Sequence, residues 1–427
     1  MKTPIHSFLE NYSERNAIRC HMPGGKGRNN AFDITEIEGA DNLYESEGII
    51  RESEELASSL FDSGSTLFSC GGSTLAIQGM LGVLRQSTSK NTIIAGRYSH
   101  KSFINTAILL GFDIEWAYPS EYLSANISAD EIERLIDVDT AAVFVNSIDY
   151  YGGQADIKAI SEVCMRNGIP LLVDNAHGAY RVFTDNHPIK LGADMCADSA
   201  HKTLPALTGA AYLHLKDDDM RKAAKNAMAM FGSSSPSYLI MDSLDLCNPF
   251  IAEHKAETLS LIHDINVFKL WLTDMGYSVK ASDSMRVTID TAKYGYLGQD
   301  YAALLREKGV ECEMCDDRYV VLLFSVIQSK TDLMRLYAIM RNIPQKDSVN
   351  VQPHIILRPK LSRLPRKAYF SPFETVKTER ALGRICRNIH TACPPCVPIV
   401  MPGEIIDNGC IAELLRYGIS EIEVIKS

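Results

Sequence analysis

Apolar and polar positions follow two different rhythms along this chain. Between residues 65 and 215, short apolar runs recur at 66–69, 92–95, 113–117, 142–145, 170–173, 193–197 and 210–214. Each run is too short for a helix, and several are rich in Val and Ile, as expected of strands buried on both faces of a parallel sheet. The intervals carry helical spacing, for example at 75–85 and 157–167. An earlier amphipathic helix is expected at 49–61, where Leu56 and Leu60 lie four apart. Strand and helix alternating in this way predict an α/β fold, a three-layer sandwich around a seven-stranded, mostly parallel sheet. Ligands of such folds sit at the carboxyl ends of the strands.

The rhythm changes after Leu213. Residues 215–275 read as mostly helical, with helices at 220–230 and 252–272. The remainder mixes a strand at 319–324 with helices at 332–341 and 373–388 and a polar loop at 345–352. At the other end, Cys20-His21-Met22-Pro23-Gly24-Gly25-Lys26-Gly27-Arg28 holds too much Gly and Pro for regular structure and reads as a loop lining a site. The expected organisation is an N-terminal segment bordering the site (1–45), a large domain with its helical linker (46–275) and a smaller C-terminal α+β domain (276–427).

Composition narrows the class. The chain has 427 residues, 46% hydrophobic and 22% charged, as in an ordinary globular protein. A net charge of −10 argues against a nucleic-acid footprint. No long apolar span and no leader pattern at Met1-Lys2-Thr3-Pro4 is present, so no membrane role and a cytoplasmic location are expected. Eleven cysteines, an odd number, do not suggest a disulfide framework. Two C-x-x-C spacings, Cys312/Cys315 and Cys393/Cys396, raise a metal or redox reading. Residues three apart in a strand-like run point to opposite faces, and no further ligand-rich segment accompanies them, so no metal is expected.

The chemistry lies at two strand ends. Asp174-Asn175-Ala176-His177-Gly178 follows one apolar run and Ser199-Ala200-His201-Lys202 follows the next. This is the arrangement a pyridoxal 5'-phosphate (PLP) site needs. Lys202 forms a Schiff base with the aldehyde, and Asp174 pairs with the protonated pyridine nitrogen. Gly72-Ser73-Thr74 follows the first strand and opens a helix, where free N–H groups and two hydroxyls can hold a phosphate. Ser199 and His201 flank the lysine and can reach the same phosphate. His100, just after the second strand, can stack on the ring. His177, with Ala176 beside it, can hold Asp174 ionised or touch the cofactor.

With these residues in view, the chain resembles the Orn/Lys/Arg decarboxylase family of fold type I PLP enzymes over nearly its whole length. The resemblance is carried by His21-Met-Pro-Gly-Gly-Lys26, Asp33-Ile-Thr-Glu36, Gly72-Ser73-Thr74, His100-Lys101-Ser102, Asp174 to Gly178 and Ser199 to Lys202. It continues in Ser235-Pro236-Ser237-Tyr238, Cys393-Pro-Pro-Cys396-Val-Pro398 and Pro402-Gly-Glu404. It implies α-decarboxylation of lysine, ornithine or arginine to the amine and CO2, by a homodimer with shared sites. It also implies Lys202, Asp174 and His100 as catalytic residues and phosphate contacts from Ser73, Thr74, Ser199 and His201. Ser235 or Ser237 would reach the neighbouring subunit's phosphate. The pattern is that of the short form, without the receiver-like domain, so a decamer is not expected.

Several positions depart from the family pattern. Gly25 replaces the second histidine of the loop, and Asn175 stands where Glu is frequent. Asp149 stands in a Pro-Thr-Tyr position, and Cys393 and Cys396 replace Tyr and Gly. The core PLP residues are intact. The altered positions bear on substrate identity, and Asp149 offers a local negative charge for a substrate's distal amine. Other readings remain open on the same scaffold. One is transamination or elimination, for which Arg384 and Arg387 are available as carboxylate clamps. The other is a non-catalytic PLP-binding paralogue.

Overall fold

The computed structural model describes residues 1–391 and 397–426. After helix α1 (Pro4–Glu14) and helix α2 (Ile49–Phe61), strand and helix alternate through β1 (Ser65–Ser69), α3 (Gly72–Ser87), β2 (Thr92–Gly96) and α4 (Lys101–Leu110). The series continues with β3 (Asp113–Ala117), α5 (Ala129–Leu135), β4 (Thr140–Asn146), α6 (Ile157–Asn167) and β5 (Leu171–Asp174). It closes with β6 (Met195–Asp198), α7 (Ala200–Thr203) and β7 (Ala211–Leu215). The seven strands form one sheet in the order β1-β7-β6-β5-β4-β2-β3. β7 runs antiparallel to both β1 and β6, while β2/β3, β2/β4 and β5/β6 are parallel. The expected α/β architecture with a mostly parallel seven-stranded sheet is therefore the observed one.

The chain packs as two compact units. The first holds residues 1–88, 157–268 and 324–335, and the second holds 89–156, 269–323 and 336–427. In the first unit, every residue of β1, β5, β6 and β7 is buried. Helix α3 lies unusually close to α8 (Arg221–Ala229). A Cβ at Gly79 would come within 2.5 Å of Met228 Cγ, and one at Gly82 within 2.7 Å of the Ala227 Cβ. These two glycines let the helix backbones approach, and a side chain at either would force them apart. The start of α2 is held by Asp41, whose carboxylate accepts from the N–H groups of Gly48 and Ile50 at 2.9 and 3.0 Å. Those donors would otherwise lack intrahelical partners.

The helical stretch expected at 252–272 is two helices, α9 (Tyr238–Glu253) and α10 (Lys255–Asp274), which break at His254. In the second unit β8 (Ser278–Lys280), β9 (Arg286–Asp290), β10 (Met314–Cys315) and β11 (Tyr319–Leu323) form an antiparallel sheet in the order β10-β11-β9-β8.

The helix expected at 373–388 is not formed. Phe373–Lys377 is a strand paired antiparallel with Glu421–Ile425. Its alternation and the β-branched Thr375 and Val376 favour a pleated edge, and Gly383 at φ +75° interrupts any helical continuation.

Candidate active site

Strand alternation divides the β5 and β6 ends between the two faces of the sheet. In register, Val173 pairs with Cys196 and Asp174 with Ala197, so Asp174 faces one side and Val173 and Cys196 the other. Asp174 is buried, 6% exposed. Its Oδ1 accepts from the Ala176 N–H at 3.0 Å. Burial pushes its carboxyl up, while the Ala176 N–H and the Lys202 charge oppose that shift.

Lys202 lies on α7, the single helical turn that Ser199 begins after β6. Its Nζ is 3.0 Å from His177 Nε2. His201 donates its Nδ1–H to the Ala210 carbonyl at 2.9 Å, which leaves Nε2 as the free nitrogen. Burial pushes its pKa down. Thr203 Oγ1 accepts from the Tyr180 N–H at 3.1 Å, tying α7 to the turn beyond Asp174.

The start of α3 provides a cradle. Gly72 has φ +66°, and a Cβ there would meet no atom within 4 Å. Ser73 and Thr74 occupy the first turn, where backbone N–H groups lack intrahelical acceptors. Among the described residues neither hydroxyl has a hydrogen-bond partner. Ser237 starts α9, and its carbonyl accepts from Cys70 Sγ at 3.6 Å, so the Ser-Pro-Ser-Tyr segment abuts the Gly72 loop. Ser235 is exposed. His100 belongs to the second unit, where it caps α4 by accepting from the Ser102 N–H on Nδ1 at 3.1 Å.

This donor set fits PLP. A buried carboxylate, a lysine amine and an open helix start with two unengaged hydroxyls are what the ring nitrogen, aldehyde and phosphate each require. Lys202, Asp174, Gly72, Ser73, Thr74, Ser199 and His201 would hold it.

The family model described as "Orn/Lys/Arg decarboxylase, major domain" matches residues 3–274. The chain belongs to the Orn/Lys/Arg decarboxylase family, whose members are PLP-dependent. The chain is 30% identical to an arginine decarboxylase of Bacillus anthracis, over 95% of this chain and 91% of the relative. It is 28% identical to an arginine decarboxylase of Bacillus subtilis, over 97% and 93%. In fold it is similar to lysine decarboxylase A from Pseudomonas aeruginosa, with a TM-score of 0.80 at 16% identity, covering 99% of this chain and 80% of that one.

Two features of this family member bear on the expectations drawn from its sequence. Asp149 turns both carboxylate oxygens to its own loop. Its Oδ2 accepts from the Ala125 N–H at 2.9 Å and its Oδ1 from the Gly153 N–H at 2.8 Å, so it clamps its own loop. Arg384 and Arg387 are not open carboxylate clamps. They pair with Glu374 at 2.6 Å and Glu423 at 2.8 Å. At Gly25, where the family pattern has a histidine, a Cβ would meet nothing within 4 Å.

Cys312 and Cys315 are both partly buried, and burial pushes the Cys312 thiol up to about 12. Neither belongs to the one His/Cys/Asp/Glu grouping of metal-ligand spacing among the described residues, which is His187, Cys196 and Asp198. Cys393 and Cys396 lie outside the described residues.

That grouping was not anticipated from the sequence. Asp198, His187 and His214 are fully buried on the sheet face opposite Asp174. Cys196 and Asp198 two apart on an apolar run were the available signal, but nothing along the chain pointed to the two distant histidines as their neighbours.

Proposed function

We propose that this protein is a PLP-dependent decarboxylase that removes the α-carboxyl group of a basic amino acid as CO2, with arginine the first substrate to test. The observation that carries the reading is the placement of Asp174 and Lys202 at the ends of the adjacent parallel strands β5 and β6, with His177 Nε2 on the lysine amine. Arginine is put first because curated relatives of nearly full coverage bear the name arginine decarboxylase.

Bound PLP supplies an electron-poor ring that accepts the electron pair released when the Cα–carboxylate bond breaks. The rest is done by the chain. Lys202 anchors the group, and His177 orients the amine and takes a proton from it. Asp174 keeps a negative charge against the ring nitrogen. His100 is proposed to cover the ring face, and Ala176 and His177 to line its edge. The start of α3, with Ser199 and His201, holds the phosphate.

We further propose a homodimer in which exposed Ser235, or Ser237, reaches the partner's phosphate. The free state of every described cysteine supports a cytoplasmic setting. Among the described residues no helix is long and apolar enough to cross a membrane. For domain organisation we retain the reading 1–45, 46–275 and 276–427, supported by the start of the antiparallel sheet at Ser278.

The test supplies carboxyl-labelled arginine, lysine and ornithine to the PLP-loaded protein. Labelled CO2 from at least one is expected. Accumulation of a keto acid without CO2 would overturn the decarboxylase reading. Borohydride is expected to fix the cofactor to Lys202 in the wild type and not in Lys202→Ala. For the dimer, mixing Lys202→Ala with a Ser235→Ala/Ser237→Ala variant is expected to restore part of the activity. A monomer in sedimentation would refute the shared site.

A further inference from the structure

Behind the Lys202 site, on the other face of the sheet, lies a fully buried polar cluster centred on Asp198. Register puts its members side by side. Thr66 pairs with His214, His214 with Cys196 and Tyr212 with Asp198. Asp198 Oδ2 accepts from His187 Nε2 at 3.1 Å, and His214 Nε2 stands 3.3 Å from the same oxygen. His214 Nδ1 is 2.8 Å from Thr66 Oγ1. Phe61 closes the cluster with its ring centroid 4.3 Å from that of His214 and 5.2 Å from that of His187.

Burial pushes the His214 pKa down, and its two ring nitrogens face Thr66 Oγ1 and Asp198 Oδ2. Burial alone would push the Asp198 carboxyl up, but the two histidines hold it far below the usual carboxylate range. The protein thus keeps an anion in its core, surrounded by donors. Such a group is costly unless it is paired and hydrogen-bonded, and here His187, Asn175 and Cys196 all donate to it.

What it fixes is Asn175. The second oxygen, Asp198 Oδ1, accepts from Asn175 Nδ2 at 2.7 Å, and the Asn175 N–H donates to the Ala197 carbonyl at 2.9 Å. Asn175 in turn shapes the turn that follows β5. Its carbonyl accepts from the Gly178 N–H at 2.7 Å, and a Cβ at Gly178 would lie 2.1 Å from its Oδ1. Asn175 lies between the two groups that face the cofactor side, Asp174 and His177. Holding it from behind aims Asp174 Oδ1 at the Ala176 N–H and His177 Nε2 at Lys202.

We propose that Asp198 is a positioning residue that acts through Asn175 across the sheet, setting the Asp174–Gly178 turn for the cofactor and for Lys202. The inference rests on the PLP reading above. It assigns the odd residue of this chain's turn, Asn175, and the buried histidines His187 and His214 to one device. A carboxylate in place of Asn175 would set two buried anions against each other, so an amide here and an acid at Asp198 belong together.

The test uses full-length protein and measures PLP affinity, global stability and the pH profile of activity. Asn175→Ala removes the link while leaving His187, Asp198 and His214 in place. It is expected to weaken PLP binding roughly tenfold, the size of one charged hydrogen bond lost from a buried network. It should also move the acid limb of the profile to higher pH. The loosened turn withdraws the Ala176 N–H that favours ionised Asp174, whose charged neighbours are Lys202 and Asp198. A merely structural role would lower stability and leave that limb unmoved.

Asp198→Asn is expected to weaken PLP binding by a similar factor, and the double variant no further than the worse single one. Wild-type affinity and an unmoved acid limb in Asn175→Ala would overturn the proposal, whether or not Asp198→Asn folds. So would additive losses in the double variant, or a stoichiometric transition metal held by His187, Cys196 and Asp198. A wild type that takes up no PLP would instead sink the cofactor reading itself.

Discussion

Lys202 Nζ and His177 Nε2 stand 3.0 Å apart, with the histidine delivered by the turn after β5 and the lysine by the turn after β6. The contact joins two adjacent parallel strands at their carboxyl ends through side chains alone. It gives the lysine amine a nitrogen neighbour. A carboxylate would lock the amine as an ammonium ion, whereas an imidazole can accept its proton. His177→Phe keeps a flat ring and removes the acceptor. We expect PLP to be retained and kcat to fall roughly tenfold, the worth of one charge-assisted hydrogen bond. Steady-state kinetics beside the visible absorbance of the loaded protein would check this.

Asp174→Asn should separate binding from chemistry. The amide can still accept from the Ala176 N–H but carries no charge. The expected result is partial retention of PLP with a loss of roughly a hundredfold in kcat, equal to about 2.7 kcal/mol of barrier. Turnover near that of the wild type would remove Asp174 from its role.

The second unit carries a pH-sensitive contact of its own. His354 stacks on Tyr122 at 4.5 Å between ring centroids, is hydrogen-bonded to Glu413 and lies 3.6 Å from Asp317. Burial would push its pKa down, but Asp317 and Glu413 hold it up at about 9. An unfolded histidine titrates near about 6.5. The folded value is the higher one, so this stabilisation is fully present below about 6.5 and is lost as pH rises through about 9. Denaturant titrations across that window should show falling stability in the wild type and a flatter profile in His354→Gln.

Arg97 and Glu404 form a buried bidentate pair, 2.6 Å for Nη1–Oε1 and 3.1 Å for Nη2–Oε2, each residue 1% exposed. Glu404 also accepts from the Met401 N–H at 2.8 Å. Removing one partner leaves an uncompensated charge in the interior, at a cost of about 3–5 kcal/mol. Arg97→Met should therefore lower the unfolding free energy of this unit by about that amount. Urea denaturation followed by far-ultraviolet circular dichroism would measure it.

Local patterning was enough to read the sheet and its chemistry. The runs ending at Val173 and Ala197 are apolar because they are covered on both faces, and their shortness between helical intervals favours strands. Asp174 and Ser199-Ala-His-Lys202 follow them immediately, so their placement at strand ends comes from covalent connectivity alone. Helices Ile49–Phe61 and Ile157–Asn167 were legible for the same reason, since their apolar spacing repeats within one element.

Tertiary structure decided whatever depends on partners far along the chain. Asp198 lies four residues before Lys202 in sequence, but His187 and His214 reach it, and Thr66 reaches His214, only through strand register and the loop before β6. Asp149 read as a charge available to a substrate until folding brought the Ala125 and Gly153 N–H groups onto its two oxygens. Phe373–Lys377 carries a pattern that a helix could share, and pairing with Glu421–Ile425 made it a strand. In each case the deciding energy is a hydrogen bond or a burial made across long sequence separation. A window of a few residues holds the Asp149–Gly153 contact but not the Ala125, His214 or Glu421–Ile425 halves of the others.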